Sequence, residues 1–304
     1  MLQINLLGKL SVQRDAYDVT LPLKAQELLG FLLLFPRHAH MREALAARLW
    51  GESTAKQAKK YLRQTLWHLQ SLLGQETETG AAPLLLVEGD WVQVNAQAKL
   101  QVDTWSVKEA FKLIKDRPGE ALAAEQVTLL KETVTRCQGE LLPNWYHDWC
   151  LLEREQYRLM LFTILDKLVA YCLAHQQWES GIQYGMQLLQ MDQSREKGHR
   201  HLMRLYYLSG DRTAALRQFQ YCQRLLEIEF GVEPTHKTEQ LWQLILKDQF
   251  HLDGNRQPPR TPTAPTAAAR ATQDDRLADL LKQLATELDT LRSDIKDIRY
   301  ILEK

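Results

Sequence analysis

Hydrophobic positions along the first hundred residues change period several times, and each change marks an element. Residues 2–7 and Ser11-Val12-Gln13 alternate apolar and polar side chains around Gly8, the period of half-buried strands. Val19-Thr20-Leu21 offers a third strand. The run QELLGFLLLF at 26–35 is apolar almost all round, which predicts a core helix stopped by Pro36. Leu45 and Leu49 before Trp50-Gly51 predict a short helix. After Ser53 or Thr54 as a cap, Leu62, Leu66, Leu69 and Leu73 recur at three- and four-residue steps and predict a second helix with one buried face. Leu84-Leu85-Leu86-Val87 and Trp91-Val92-Gln93-Val94 flank Glu88-Gly89-Asp90, a hairpin signal. Two helices around a tight turn with a hairpin behind them make a winged helix, here preceded by a small sheet.

From Thr104 to Phe250 the pattern is helical throughout, broken near Pro118-Gly119, Gly139 to Asn144, Gln176-Gln177, Asp192 to Ser194, Gly210-Asp211 and Gly231 to Pro234. A shift of about 34 residues, the tetratricopeptide period, brings Leu168 onto Leu202, Gly181 onto Ala215, Ile182 onto Leu216 and Gly185 onto Phe219. Small residues at 181, 185, 214 and 215 let helices approach closely, and stacked helix pairs build a concave surface for a partner. Residues 251–273 then hold Pro258, Pro259, Pro262 and Pro265 among alanines and threonines, a composition that cannot form a core and reads as a linker. After it, Leu277, Leu281, Leu284, Leu288, Leu291, Ile295, Ile298 and Leu302 alternate steps of four and three, the seam of a coiled coil. Glu287 and Asp294 at g would face Arg292 and Arg299 at e of a parallel neighbour. No polar residue at a or d selects a dimer, so the expected self-association runs from dimer to tetramer.

The chain is thus expected to be mainly α. Residues 1–103 form an α+β winged helix, 104–250 a tetratricopeptide-like helical domain, 251–273 a Pro/Ala/Thr-rich linker and 274–304 an oligomerisation helix.

Charge places the candidate chemistry on the second helix of the helix-turn-helix. Lys56, Lys59, Lys60 and Arg63 fall opposite its leucines, with Gln64 and His68 beside them. Lysines near the helix start suit phosphates, while Arg63, Gln64 and His68 suit base edges in the major groove of double-stranded DNA. The same pattern also describes a solvated helix face. Residues 1–100 carry eleven Lys and Arg against nine Asp and Glu, so one copy is only weakly basic and should bind DNA weakly alone. Over the whole chain 38 basic and 38 acidic residues cancel, and no global field draws it to nucleic acid or membrane.

Taken in order, Leu7-Gly8, Leu45 through Trp50-Gly51, Leu62-Arg63 through Leu72-Leu73-Gly74, Gly89 and Val102-Asp103 resemble the DNA-binding domain of the SARP (antibiotic regulatory protein) activators of bacteria. Gly139-Glu140-Leu141-Leu142-Pro143, Trp145, Arg195-Glu196, Leu202-Met203, Leu205-Tyr206, Ala214-Ala215-Leu216 and Phe230-Gly231-Val232-Glu233-Pro234 are similar to that family's bacterial transcriptional activation domain. The resemblance covers residues 1–250. It implies a winged helix of the response-regulator output type, a site of direct repeats near a promoter, and RNA polymerase as a partner of the helical domain. The family often has arginines late in the recognition helix, where this chain has Trp67, His68, Gln70 and Ser71.

A sensor or scaffold is the second reading, in which the helical domain binds a small effector, for example a nucleotide second messenger, or a protein. Its candidate pocket joins Trp145 and Trp149 to Arg154 and Arg158; the plainer alternative has the tryptophans in the core and the arginines paired with Glu153 and Glu155. His199, Arg200, His201 and Arg204 would hold an acidic partner or, more simply, form a solvated face. No Walker loop, G-x-G-x-x-G, H-E-x-x-H or G-x-S-x-G occurs, so neither an enzyme nor a cofactor is expected. Cys137, Cys150, Cys172 and Cys222 lie singly on apolar stretches and read as reduced core residues. With no signal peptide and no apolar run long enough to span a bilayer, a cytoplasmic location is expected.

Overall fold

The computed structural model describes residues 2–73, 82–137 and 139–250. The linker and the heptad seam from Leu277 to Leu302 lie outside the described residues. The N-terminal elements are β1 (Leu2–Asn5), β2 (Ser11–Arg14), β3 (Tyr17–Asp18), α1 (Leu23–Leu34), β4 (His40–Met41), α2 (Arg42–Leu49), α3 (Ala55–Leu73), β5 (Leu85–Glu88), β6 (Trp91–Val94) and β7 (Leu100–Val102). They are followed by α4 (Asp103–Ile114), a 3-10 turn (Gly119–Ala121), α5 (Ala124–Arg136), α6 (Asp148–Ala174), α7 (Trp178–Met191), α8 (Glu196–Leu208), α9 (Arg212–Phe230) and α10 (His236–Leu246).

Two small sheets flank the first three helices, one in the order β3-β2-β1-β7 and the other β4-β6-β5. The third strand of the first sheet is Tyr17–Asp18 rather than Val19-Thr20-Leu21. Asp15 and Ala16 both take positive φ, the geometry of a two-residue hairpin turn, and this forces Arg14 opposite Tyr17 and Gln13 opposite Asp18. The fourth strand, β7, joins β1 in parallel, with Ile4 opposite Val102, after a detour through the whole helix-turn-helix. Asp103 follows at once. Its carboxylate, buried at the head of α4, accepts from the amides of Leu6 (3.0 and 2.8 Å), Leu7 (2.7 Å) and Thr104 (2.7 Å), closing the end of β1 where the ladder stops. Burial raises the Asp103 carboxyl above its usual range, and the three amide donors work against that shift.

α1 is buried along nearly its whole length, as an apolar helix without a polar face must be. α2 and α3 lean on it, and α3 turns Ala58, Leu62, Thr65, Leu66, Leu69 and Leu73 inward. Each of those leucines removes roughly 1.5–3 kcal/mol worth of side chain from water. In the helical part, α6 to α9 stack in sequence as two hairpins, α6 with α7 and α8 with α9, and α10 closes the end. Gly181 makes this packing feasible: a Cβ there would lie 2.6 Å from Cδ2 of Leu205.

The two parts share one core that runs from Leu2 to Leu205, and a smaller cluster around Met203, Phe219 and Ile245 holds the far end. Trp145 packs on α1 at Gly30, where a Cβ would come within 2.9 Å of its ring. Trp149 meets Phe31 edge-on at 5.2 Å, Trp105 Nε1 donates to the Leu33 carbonyl at 2.8 Å, and Leu7 bridges Leu141. Among the described residues no helix is long and apolar enough to cross a membrane.

Candidate nucleic-acid interface

α3 begins after Thr54, whose hydroxyl oxygen lies 3.4 Å from the amide nitrogen of Gln57, and runs for 19 residues. With its leucine face seated on α1 and α2, the helix leaves Lys56, Lys59, Lys60, Arg63 and Gln64 exposed, with His68 half-buried at the edge of the same face. Lys59 is drawn to Glu43 of α2 at 3.0 Å, an exposed pair that water and salt weaken. Lys56, Lys60 and Arg63 have no carboxylate within 4 Å among the described residues, so three positive charges face solvent along two turns of one helix. A surface of this kind attracts polyanions.

Trp67 lies one turn beyond Arg63 and is 64% exposed, with the His68 ring 5.3 Å from its own. An exposed tryptophan on this face adds an apolar plate suited to thymine methyl groups or sugar edges. The wing differs in charge. Glu88 and Asp90 stand exposed at its tip, and Arg42 from α2 reaches the Gly89 carbonyl at 3.5 Å. Two carboxylates there oppose phosphate, with Arg42 the one cation the hydrogen bonds place beside them among the described residues.

The effector pocket expected from sequence is divided. Trp145 and Trp149 face α1, as described above. Arg154 reaches back to the preceding loop, donating from Nε to the Leu141 carbonyl (2.8 Å) and from Nη2 to those of Leu142 (2.6 Å) and Trp145 (2.8 Å). Arg158 forks onto Glu155 at 2.9 and 3.0 Å, whereas Glu153 turns to Lys108 at 3.5 Å. Arg154 and Arg158 line a cavity that neither tryptophan enters.

The run His199, Arg200, His201, Arg204 is not a solvated face. His199 and His201 are buried, and Arg204 is half-buried, because α8 is covered by α7, α9 and α10 at once. His199 Nε2 lies 2.7 Å from the Gln193 carbonyl and His201 Nε2 lies 3.2 Å from Asp166, which also takes Lys197 at 2.8 Å and Arg195 at 3.6 Å. Arg200 reaches Thr238 at 2.8 Å. Burial lowers both histidines below their ordinary value despite these acceptors. The Asp166 carboxyl, which burial alone would raise, is held low by His201 and Lys197. The four cysteines are free; burial pushes the Cys137 and Cys222 thiols up to about 12, so they are poor nucleophiles. Among the described residues no cluster of His, Cys, Asp or Glu has the form of a metal site.

Residues 102–246 match the bacterial transcriptional activator domain family. Comparison with curated proteins finds no match. Among solved structures the chain is similar to Mycobacterium tuberculosis EmbR, solved in complex with a low-affinity phosphopeptide, with a TM-score of 0.64 and 20% identity over 83% of this chain. The chain spans 66% of EmbR, just under two thirds of its length. A likeness at that identity shows a shared fold. A helix-turn-helix with a hairpin behind it is joined here through a common core to helices that match the bacterial transcriptional activator domain family, in a fold shared with EmbR.

Proposed function

We propose that the chain binds promoter DNA through α3 and acts there as a transcriptional activator. One observation carries this reading: Lys56, Lys60 and Arg63 stand exposed and unpaired by any described carboxylate on the second helix of a helix-turn-helix. Lys56, Lys59 and Lys60 take phosphates, and Arg63, Gln64 and His68, with Trp67 beside them, read base edges. The helical surface of residues 104–250 serves a protein partner, RNA polymerase by family resemblance. The heptads from Leu277 to Leu302 gather copies, which raises avidity by a factor of about 10² to 10⁴ when two weak domains engage neighbouring half-sites. The domain limits stay as read from sequence, with 1–103 binding DNA and 274–304 self-associating.

Selection of bound genomic fragments by the intact chain and by Arg63→Ala tests this. Loss of one base preference places Arg63 in the groove, and uniform weakening assigns it to the backbone. Equal selection and equal affinity in both proteins would remove α3 from the interface. A chain ending before Asp274 that sediments and binds like the full one would refute the role given to the tail.

A further inference from the structure

Where the end of β1 meets the helical domain lies a cavity of about 380 Å³, within the range of small-molecule sites. Leu7 closes it on the winged-helix side; Leu161 and Leu165 of α6 and Met191 of α7 give it an apolar wall. Its polar side chains are Glu140, Arg154, Tyr157, Arg158, Gln187 and Gln190, of which only the two arginines are cations. Arg158 is answered by Glu155, and Glu140 stands exposed at the rim. Arg154 is different. Nε and Nη2 are spent on three backbone carbonyls, Nη1 has no acceptor among the described residues, and no described carboxylate lies within 4 Å. Carbonyl dipoles orient a guanidinium but bring no negative charge to it. A half-buried cation with a free donor, set in an apolar wall, is complementary to one anionic group on an apolar body.

We infer that this cavity is an effector site for a small amphipathic monocarboxylate, with the carboxylate on Arg154 Nη1 and the hydrocarbon body against Leu161, Leu165 and Met191. A single unanswered cation suits a monoanion and not a polyphosphate. The position has a consequence for the fold. The other nitrogens of Arg154 hold the segment from Leu141 to Trp145, which pairs with Leu7 and packs on Gly30, so an occupant bears on the joint between the two domains. The site stands whether or not α3 binds DNA.

Thermal unfolding and calorimetric titration of the full chain with octanoate and decanoate, against octanol and decanol, test the inference. Expected is saturable binding in which each acid binds about tenfold or more tightly than its alcohol, the scale of a charge-assisted hydrogen bond. Arg154→Gln is expected to erase that preference. Because this variant also loses the carbonyl contacts, Gln190→Trp at the exposed mouth serves as a second probe. It should abolish binding of acid and alcohol alike without changing the melting temperature of the free protein. Equal affinity for acid and alcohol, undiminished binding in Gln190→Trp, or no binding of any probe would overturn the proposal.

Discussion

Two basic runs, Lys56 to Arg63 on α3 and His199 to Arg204 on α8, look alike as text and end in opposite environments. Both lie on amphipathic helices. α3 is packed along one side by α1 and α2, so its cations face water and a long anionic partner can reach them. α8 is covered by α7, α9 and α10, and its histidines are taken into the core, where Asp166 and backbone carbonyls answer them. What separates a solvent-facing cationic surface from an internal network is the number of neighbouring helices, a property no residue in either run encodes.

The contrast is open to direct attack, and the largest effect is expected in α8. Asp166→Ala leaves the buried His201 without its acceptor and the more exposed Lys197 and Arg195 without their carboxylate, and should cost about 2–3 kcal/mol in urea unfolding, the scale of stranding a buried polar group that had a charged partner. A loss within the range of a surface substitution would mean that α8 is as open as α3.

Next in size is Arg63→Ala, expected to cost about 1–3 kcal/mol of discrimination at one base pair with the unfolding midpoint unmoved. A fall in stability instead would show that the exposed face of α3 does structural service. Lys60→Ala should weaken binding to all duplexes alike and flatten the salt dependence by about one charge.

Smaller still is the effect of pH. His40, His199 and His201 are all held below their ordinary value by burial, so the unfolded chain binds protons that the native one refuses. Their contribution is complete above about pH 6.5 and declines as pH falls below it. Asp166, held low, contributes fully above the ordinary carboxylate value of about 4 and loses that contribution as pH falls from there through its own, lower, value. Chemical denaturation across this range should show stability falling with acid in the wild type and falling less in His201→Gln. A flat profile would place the histidines in water.

Smallest is Glu43→Ala. It frees Lys59 from an exposed pair, so stability should change by no more than about 0.5 kcal/mol while DNA affinity rises slightly. A large loss of stability would make that pair structural and α3 more like α8.

Periodicity alone carried much of the fold. The leucine steps of α3 set its inner face, the Gly-centred hairpin set β5 and β6, and a 34-residue shift aligned α6 and α7 with α8 and α9. These features are legible because local spacing maps directly onto one face of a helix or strand.

What spacing cannot supply is which distant segment covers a given face. The parallel return of β7 to β1, the capture of the Leu6 and Leu7 amides by Asp103, the seating of Trp145 on Gly30, and the turning of Arg154 away from any carboxylate all join residues far apart in the chain. Burial and charge compensation depend on those meetings and not on neighbours in sequence. The chain by itself determined where its helices, strands and cations lie; only the tertiary structure decided which cations keep their charge facing water, because desolvation acts through whatever elements come to rest on top of them.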